Sequence, residues 1–130
     1  MMETDAGRSS LKLMIVDDSN IIRRRIERSQ QIERLEVVGA AANGRDAIEM
    51  FRRTSPDVVT MDLTMPEMDG IECVQQLVAI NPNVLILVVS ALADKATAVE
   101  AIEKGANGFL CKPFTDRQLN DALEELLRDT

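Results

Sequence analysis

Five polar residues stand directly behind short aliphatic runs: Asp17 and Asp18 after LKLMIV, Asp62 after DVVTM, Ser90 after VLILVV, and Lys112 after GFLC. Carboxylates brought together repel, and each pushes the others' pKa up unless a cation neutralises them. An all-oxygen donor set without His or Cys favours Mg²⁺ over zinc, with Mn²⁺ as the alternative ion. It also leaves coordination positions for water or substrate oxygens. A divalent cation, a lysine ammonium and a serine hydroxyl together suit a phosphoryl group. The chemistry these residue types allow is an aspartate nucleophile accepting phosphate.

Taken singly, each residue has a plainer explanation. Asp17-Asp18 ahead of a helix would cap it and complement its dipole. Asp62 would be a turn residue, Ser90 a cap, and Lys112 a solvated lysine. Their shared position at strand ends is what carries the functional reading.

The elements that must position them follow from periodicity. Short β-branched runs alternate with stretches of helical period. Leu11–Val16, Glu36–Ala41, Asp57–Met61, Val84–Val89 and Gly108–Cys111 are predicted strands. Between them, Ser19 caps a helix with Ile22, Ile26 and Ser29 on one face and Arg23, Arg24 and Arg25 turned mostly to water. Asn43-Gly44 opens a helix through Ala47, Ile48 and Phe51, and Asp69-Gly70 opens one through Ile71, Val74, Leu77 and Val78. A weaker helix spans Ala96–Lys104. The last carries Leu119, Ala122, Leu123, Leu126 and Leu127, mainly core, with one or two left for a surface. Strict alternation and an all-aliphatic fourth strand imply an α/β fold of three layers, a doubly wound five-stranded parallel sheet between helices. In such sheets the functional crevice lies beyond the carboxyl ends of the strands. The second strand ends without a polar group and is expected at the periphery.

The 130 residues make one domain, 11–130, behind a polar tail, 1–10. With 45% hydrophobic and 28% charged residues the chain has the balance of a globular protein. It shows neither a membrane-length apolar run nor a signal peptide, so a cytoplasmic location without a membrane partner is expected. No His is present, which removes Ser-His-Asp and Cys-His catalysis and His-ligated zinc. Cys73 and Cys111 lie in apolar segments without a metal or redox spacing and are expected to be reduced and in or near the core. The net charge of −7 argues against nucleic acid as a partner.

The blocks IVDDSN, VVTMDLTMPEMDG, VVSA and FLCKPF, in this order and spacing, resemble the receiver domains of two-component response regulators of the CheY-like, stand-alone kind. The resemblance covers about Leu11 to Leu127. It implies a flavodoxin-like sheet order of 2-1-3-4-5. It makes Asp62 the phosphoacceptor, with Asp18, Asp62 and the backbone carbonyl of Thr64 binding Mg²⁺ directly and Asp17 through water. Lys112 would pair with the phosphoryl oxygens, with a cis bond to Pro113. Ser90 with the Ala91 backbone and Phe109 would be the switch. Thr64 and Leu92 stand where fast self-dephosphorylating members carry polar groups, so a long-lived phosphorylated state is expected.

The implied partners are a histidine kinase or phosphotransfer domain and a downstream protein. The latter would meet the face of the fourth helix, fifth strand and fifth helix. The three arginines read most simply as a solvated face, with kinase docking as the alternative. The implied role is a phosphorylation-activated switch in a chemotaxis-type pathway, not an enzyme apart from its own phosphorylation and dephosphorylation. The alternatives are a phosphorelay intermediate, a phosphate sink, or a receiver cut from a larger regulator such as a chemotaxis methylesterase. An aspartyl phosphatase would need an acid at position 64, which is Thr. A flavin-binding fold would need a phosphate cradle where Asp17-Asp18 stand.

Overall fold

The computed structural model describes residues 10–92 and 94–128, so residues 1–9 of the polar tail lie outside the described residues. Five strands alternate with five helices: β1 (Leu11–Val16), α1 (Asn20–Ser29), β2 (Leu35–Ala41), α2 (Gly44–Thr54), β3 (Val58–Met61), α3 (Gly70–Ile80), β4 (Leu85–Ser90), α4 (Lys95–Glu103), β5 (Gly108–Cys111) and α5 (Asp116–Leu126). All strand pairs are parallel, in the order β2-β1-β3-β4-β5. This is the doubly wound, flavodoxin-like arrangement, with β2 at the edge.

Side-chain alternation along the strands builds two cores. Met14, Val16, Val59, Met61, Ile86 and Val88 face α2, α3 and α4, where Phe51, Val74 and Leu77 complete the packing. Leu13, Ile15, Val58, Leu87 and Val89 face α1 and α5 and meet Ile26, Phe114, Leu119 and Leu123. Every helix begins on a side-chain cap: Ser19, Asn43, Asp69, Asp94 and Thr115, each accepting a backbone N–H three residues on. Thr115 and Gln118 form a reciprocal capping box. A cap of this kind contributes about 1 kcal/mol and fixes where the preceding loop must stop. The exposed Asp94 carboxyl is held below its usual range by the Thr97 hydroxyl and N–H.

Small departures from the sequence expectation have local causes. β3 begins at Val58 because Asp57 turns its carboxylate onto the Lys12 N–H at 2.8 Å. Cys111 is exposed, whereas a core or near-core place was expected: β5 is an edge strand, and its last residue has no neighbour on the outer side. Cys73 is buried, which pushes its thiol up to about 12, with the charges of Glu72 and Asp69 adding to the effect. A thiolate-selective reagent should therefore label Cys111 alone in the native protein and Cys73 only on unfolding. Mass spectrometry after timed labelling checks this, and two adducts under native conditions would contradict it.

Candidate functional site

Register puts the chemistry at one edge. Val16 pairs with Met61, so Asp17 and Asp62 emerge side by side, and the Asp62 N–H bonds the Val16 carbonyl at 2.9 Å. Ser90 pairs with Cys111, and the Lys112 N–H bonds the Ser90 carbonyl at 2.9 Å. Strands one, three, four and five thus deliver the polar residues at their carboxyl ends to the same crevice. Gly70 lets α3 begin against this edge: a Cβ there would lie 2.3 Å from the Asp62 carbonyl oxygen and 2.5 Å from Leu63 Cα.

One oxygen from each of Asp17, Asp18 and Asp62 lies within 4.8 Å of the others. Asp17 and Asp62 are each 1% exposed, while Asp18 is exposed. Lys112 Nζ stands 2.8 Å from Asp17 Oδ2 and 3.6 Å from Asp62 Oδ1. The Thr64 N–H donates to Asp62 Oδ1 at 3.3 Å. The two buried carboxylates thus share one ammonium. Burial pushes the Asp62 carboxyl above its ordinary 3.8; the Asp17 charge adds to this, Lys112 and the Thr64 N–H oppose it, and Asp18 adds again.

The donors suit a hard divalent cation. All are oxygens, and the buried Asp17 Oδ2, despite its closeness to Lys112, accepts no directed hydrogen bond.

The remaining residues line the rim. Ser90 is fully buried, and its Oγ accepts the Leu92 N–H at 3.0 Å, which leaves the hydroxyl proton to donate elsewhere. Ala91, Leu92 and Thr64 are exposed. Phe109 is half-buried against the core on the α3–α4 side of the sheet, and the Lys112-Pro113 bond is cis.

The family model for the response regulator receiver domain matches residues 13–124. The chain belongs to this family. It is a receiver of two-component signalling, similar to chemotaxis proteins. It is 40% identical over 115 residues to the chemotaxis protein CheY of Thermotoga maritima, covering 88% of this chain and 96% of that one. It is also 40% identical to the protein-glutamate methylesterase/protein-glutamine glutaminase of Pseudoalteromonas translucida, covering 90% of this chain but 31% of the relative. Among solved structures, the CheX–CheY complex of Borrelia burgdorferi with BeF3 and Mg²⁺ superimposes with a TM-score of 0.89 at 27% identity, over 95% of this chain and 93% of that one.

Sequence reasoning missed two residues of this receiver's α1. Arg23 and Arg25 are half-buried, and only Arg24 is a solvated arginine as expected of all three. Arg23 Nη1 donates to the Asp17 carbonyl at 2.7 Å, and Arg25 stacks on Phe114. Periodicity registers the helix face but cannot register a guanidinium that folds back onto a loop. Among the described residues no helix is long and apolar enough to cross a membrane.

Proposed function

We propose that this receiver is a phosphorylation-activated switch of a chemotaxis-type pathway in the cytoplasm, with Asp62 as the phosphoacceptor. The observation that carries this reading is the cluster of Asp17, Asp18 and Asp62 closed by Lys112 at the strand ends. An Asp62 carboxylate oxygen attacks the phosphorus of a phosphohistidine on a kinase or phosphotransfer domain. The P–N bond breaks, its electron pair stays on the imidazole nitrogen, which then takes a proton from water, and an acyl phosphate forms.

Asp18, Asp62 and the Thr64 carbonyl would hold Mg²⁺, with Asp17 as an outer partner. The bound ion supplies positive charge to the phosphoryl oxygens. Lys112 leaves Asp17 for a phosphoryl oxygen, because the new group adds about −1.5 to −2 charges beside it. Ser90 turns its free proton toward the same oxygens, and Phe109 moves into the space this opens. The change reaches the face of α4, β5 and α5, which a downstream protein would bind; Leu85, Leu87, Gly108, Phe109, Ala122 and Leu126 line a groove beside β5 and α5.

A stand-alone switch of the CheY type and a receiver inside a chemotaxis methylesterase would use the same site. The deciding experiment is intact mass after incubation with a small-molecule phosphodonor and Mg²⁺. A phosphoryl increment that needs Mg²⁺ is the expected result, and none with any donor overturns the reading. Thr64 and Leu92, both exposed at the rim, offer no amide or acid to orient water, so the acyl phosphate should be long-lived. Thr64→Asn should shorten its lifetime on the order of tenfold by placing such a group. Rapid-quench decay measures this, and an equal lifetime would assign the rate to other groups.

A further inference from the structure

We infer that Arg25 is a positioning residue for Lys112: it grips the segment that follows the lysine and so sets where the ammonium stands. The inference rests on the reading of Lys112 as the phosphoryl ligand. The Arg25 guanidinium carbon lies 4.6 Å from the centroid of the Phe114 ring. Its Nη2 donates to the Phe114 carbonyl oxygen and stands 3.6 Å from Asp116 Oδ1. Phe114 is itself buried in the core under α1 and α5.

A planar guanidinium can cover a ring with one face while its edge donates to a carbonyl and a carboxylate, which an ammonium cannot do at once. The other end of the segment is fixed by the Lys112 N–H on the Ser90 carbonyl at 2.9 Å. Lys112 thus leaves a backbone held from β4 on one side and from α1 on the other. A lysine side chain is long and flexible, so the direction of that backbone decides whether Nζ falls between Asp17 and Asp62. Arg23, two residues earlier, holds the opposite wall by its bond to the Asp17 carbonyl.

A merely structural clamp between α1 and α5 exists elsewhere and serves as a control. Asn120 Nδ2 donates to the carbonyls of Ser29 and Asp116, at 2.9 and 2.8 Å, and Asn120 Oδ1 accepts the Gln31 N–H at 2.6 Å. None of these bonds touches the segment from Lys112 to Phe114.

The test compares full chains carrying Arg25→Met, Arg25→Lys and Asn120→Ala with the wild type, by thermal melting and by phosphoryl uptake from a small-molecule donor at saturating Mg²⁺. Arg25→Met should lower the maximal uptake rate about fivefold. Arg25→Lys should recover part of it through the carbonyl and carboxylate contacts. Asn120→Ala should melt lower yet keep the wild-type rate. Equal slowing by Arg25→Met and Asn120→Ala, or a wild-type rate in Arg25→Met, would overturn the inference. The metal-free protein gives a second readout: Arg25→Met should move the NMR signals of the Lys112 side chain, and Asn120→Ala should leave them in place. That comparison tests the inference even if the wild type takes up no phosphoryl group, the outcome that would overturn the proposed function instead.

Discussion

Asp62→Asn should abolish phosphoryl uptake and at the same time make the metal-free protein more stable. The first effect follows from chemistry, since an amide oxygen is no nucleophile toward phosphorus and no other carboxylate sits where Asp62 does. The second follows from electrostatics. Asp62 is buried beside Asp17, and its carboxyl lies above its ordinary 3.8 even with Lys112 and the Thr64 N–H opposing the shift. An acid whose folded pKa is raised binds its proton more tightly in the folded state than in the unfolded one. Stability is therefore lost as pH rises from the unfolded pKa through the folded one, and the cost is complete above the folded pKa. The amide keeps an oxygen for the Thr64 N–H without the charge.

The expected gain at pH 7 is about 1–2 kcal/mol, or about 3–8 °C in Tm for a domain of this size. It should shrink toward zero below the carboxylate range. Mg²⁺ should stabilise the wild type by about 1.4 kcal/mol at ten times its dissociation constant, with a matching rise in Tm, and stabilise Asp62→Asn less. Calorimetry across pH with and without Mg²⁺ measures all three. An Asp62→Asn protein less stable than the wild type at pH 7, or equally responsive to Mg²⁺, would mean that Asp62 is not a member of a frustrated, cation-seeking cluster.

The legibility of this site in the sequence has a physical basis. A parallel sheet sends all its carboxyl ends one way, so a polar residue at the end of an aliphatic run has its place assigned once the run is recognised as a strand. Asp17, Asp62, Ser90 and Lys112 could be located in this manner. Three helix starts were equally readable, because Ser19, Asn43 and Asp69 are short polar side chains ahead of periodic segments.

What stayed hidden depends on contacts between segments far apart in the chain. Arg25 and Phe114 are separated by 89 positions, and nothing local marks the arginine as a ring partner. Cys111 reads as apolar by its neighbours, but its exposure is decided by β5 having one flanking strand. The resting place of Lys112 was hidden too: Nζ stands closer to Asp17 than to Asp62, which only the three-dimensional arrangement of the carboxylates could settle.

Lys112→Met should act in the opposite direction to Asp62→Asn. Methionine fills much of the lysine stem but brings no charge, so Asp17 and Asp62 keep their burial and lose their cation. Removing one partner of a buried ion pair costs about 3–5 kcal/mol, because the other charge is left uncompensated. Lys112 is partly reached by water, its side chain being 17% exposed, which scales the expected loss at neutral pH in the metal-free protein down to about 2–3 kcal/mol. The sign with pH is fixed by the same balance. Lys112 holds the Asp62 carboxyl down, so without it that pKa climbs further, and the window over which stability falls with rising pH widens upward. The mutant should therefore approach the wild type in acid and diverge from it toward neutrality. Mg²⁺ should recover a larger share of stability in Lys112→Met than in the wild type, since the ion then supplies the only positive charge among the three acids. Phosphoryl uptake should survive at a reduced rate, because Asp62 and the cation site remain, while the gain in affinity for a downstream partner should be lost with the lysine that couples the phosphoryl group to β5. Melting curves across pH and Mg²⁺ concentration, read beside intact mass, separate these effects. A Lys112→Met protein as stable as the wild type without Mg²⁺ would show that the 2.8 Å contact with Asp17 contributes no net stability, and the coupling assigned to Lys112 would need another carrier.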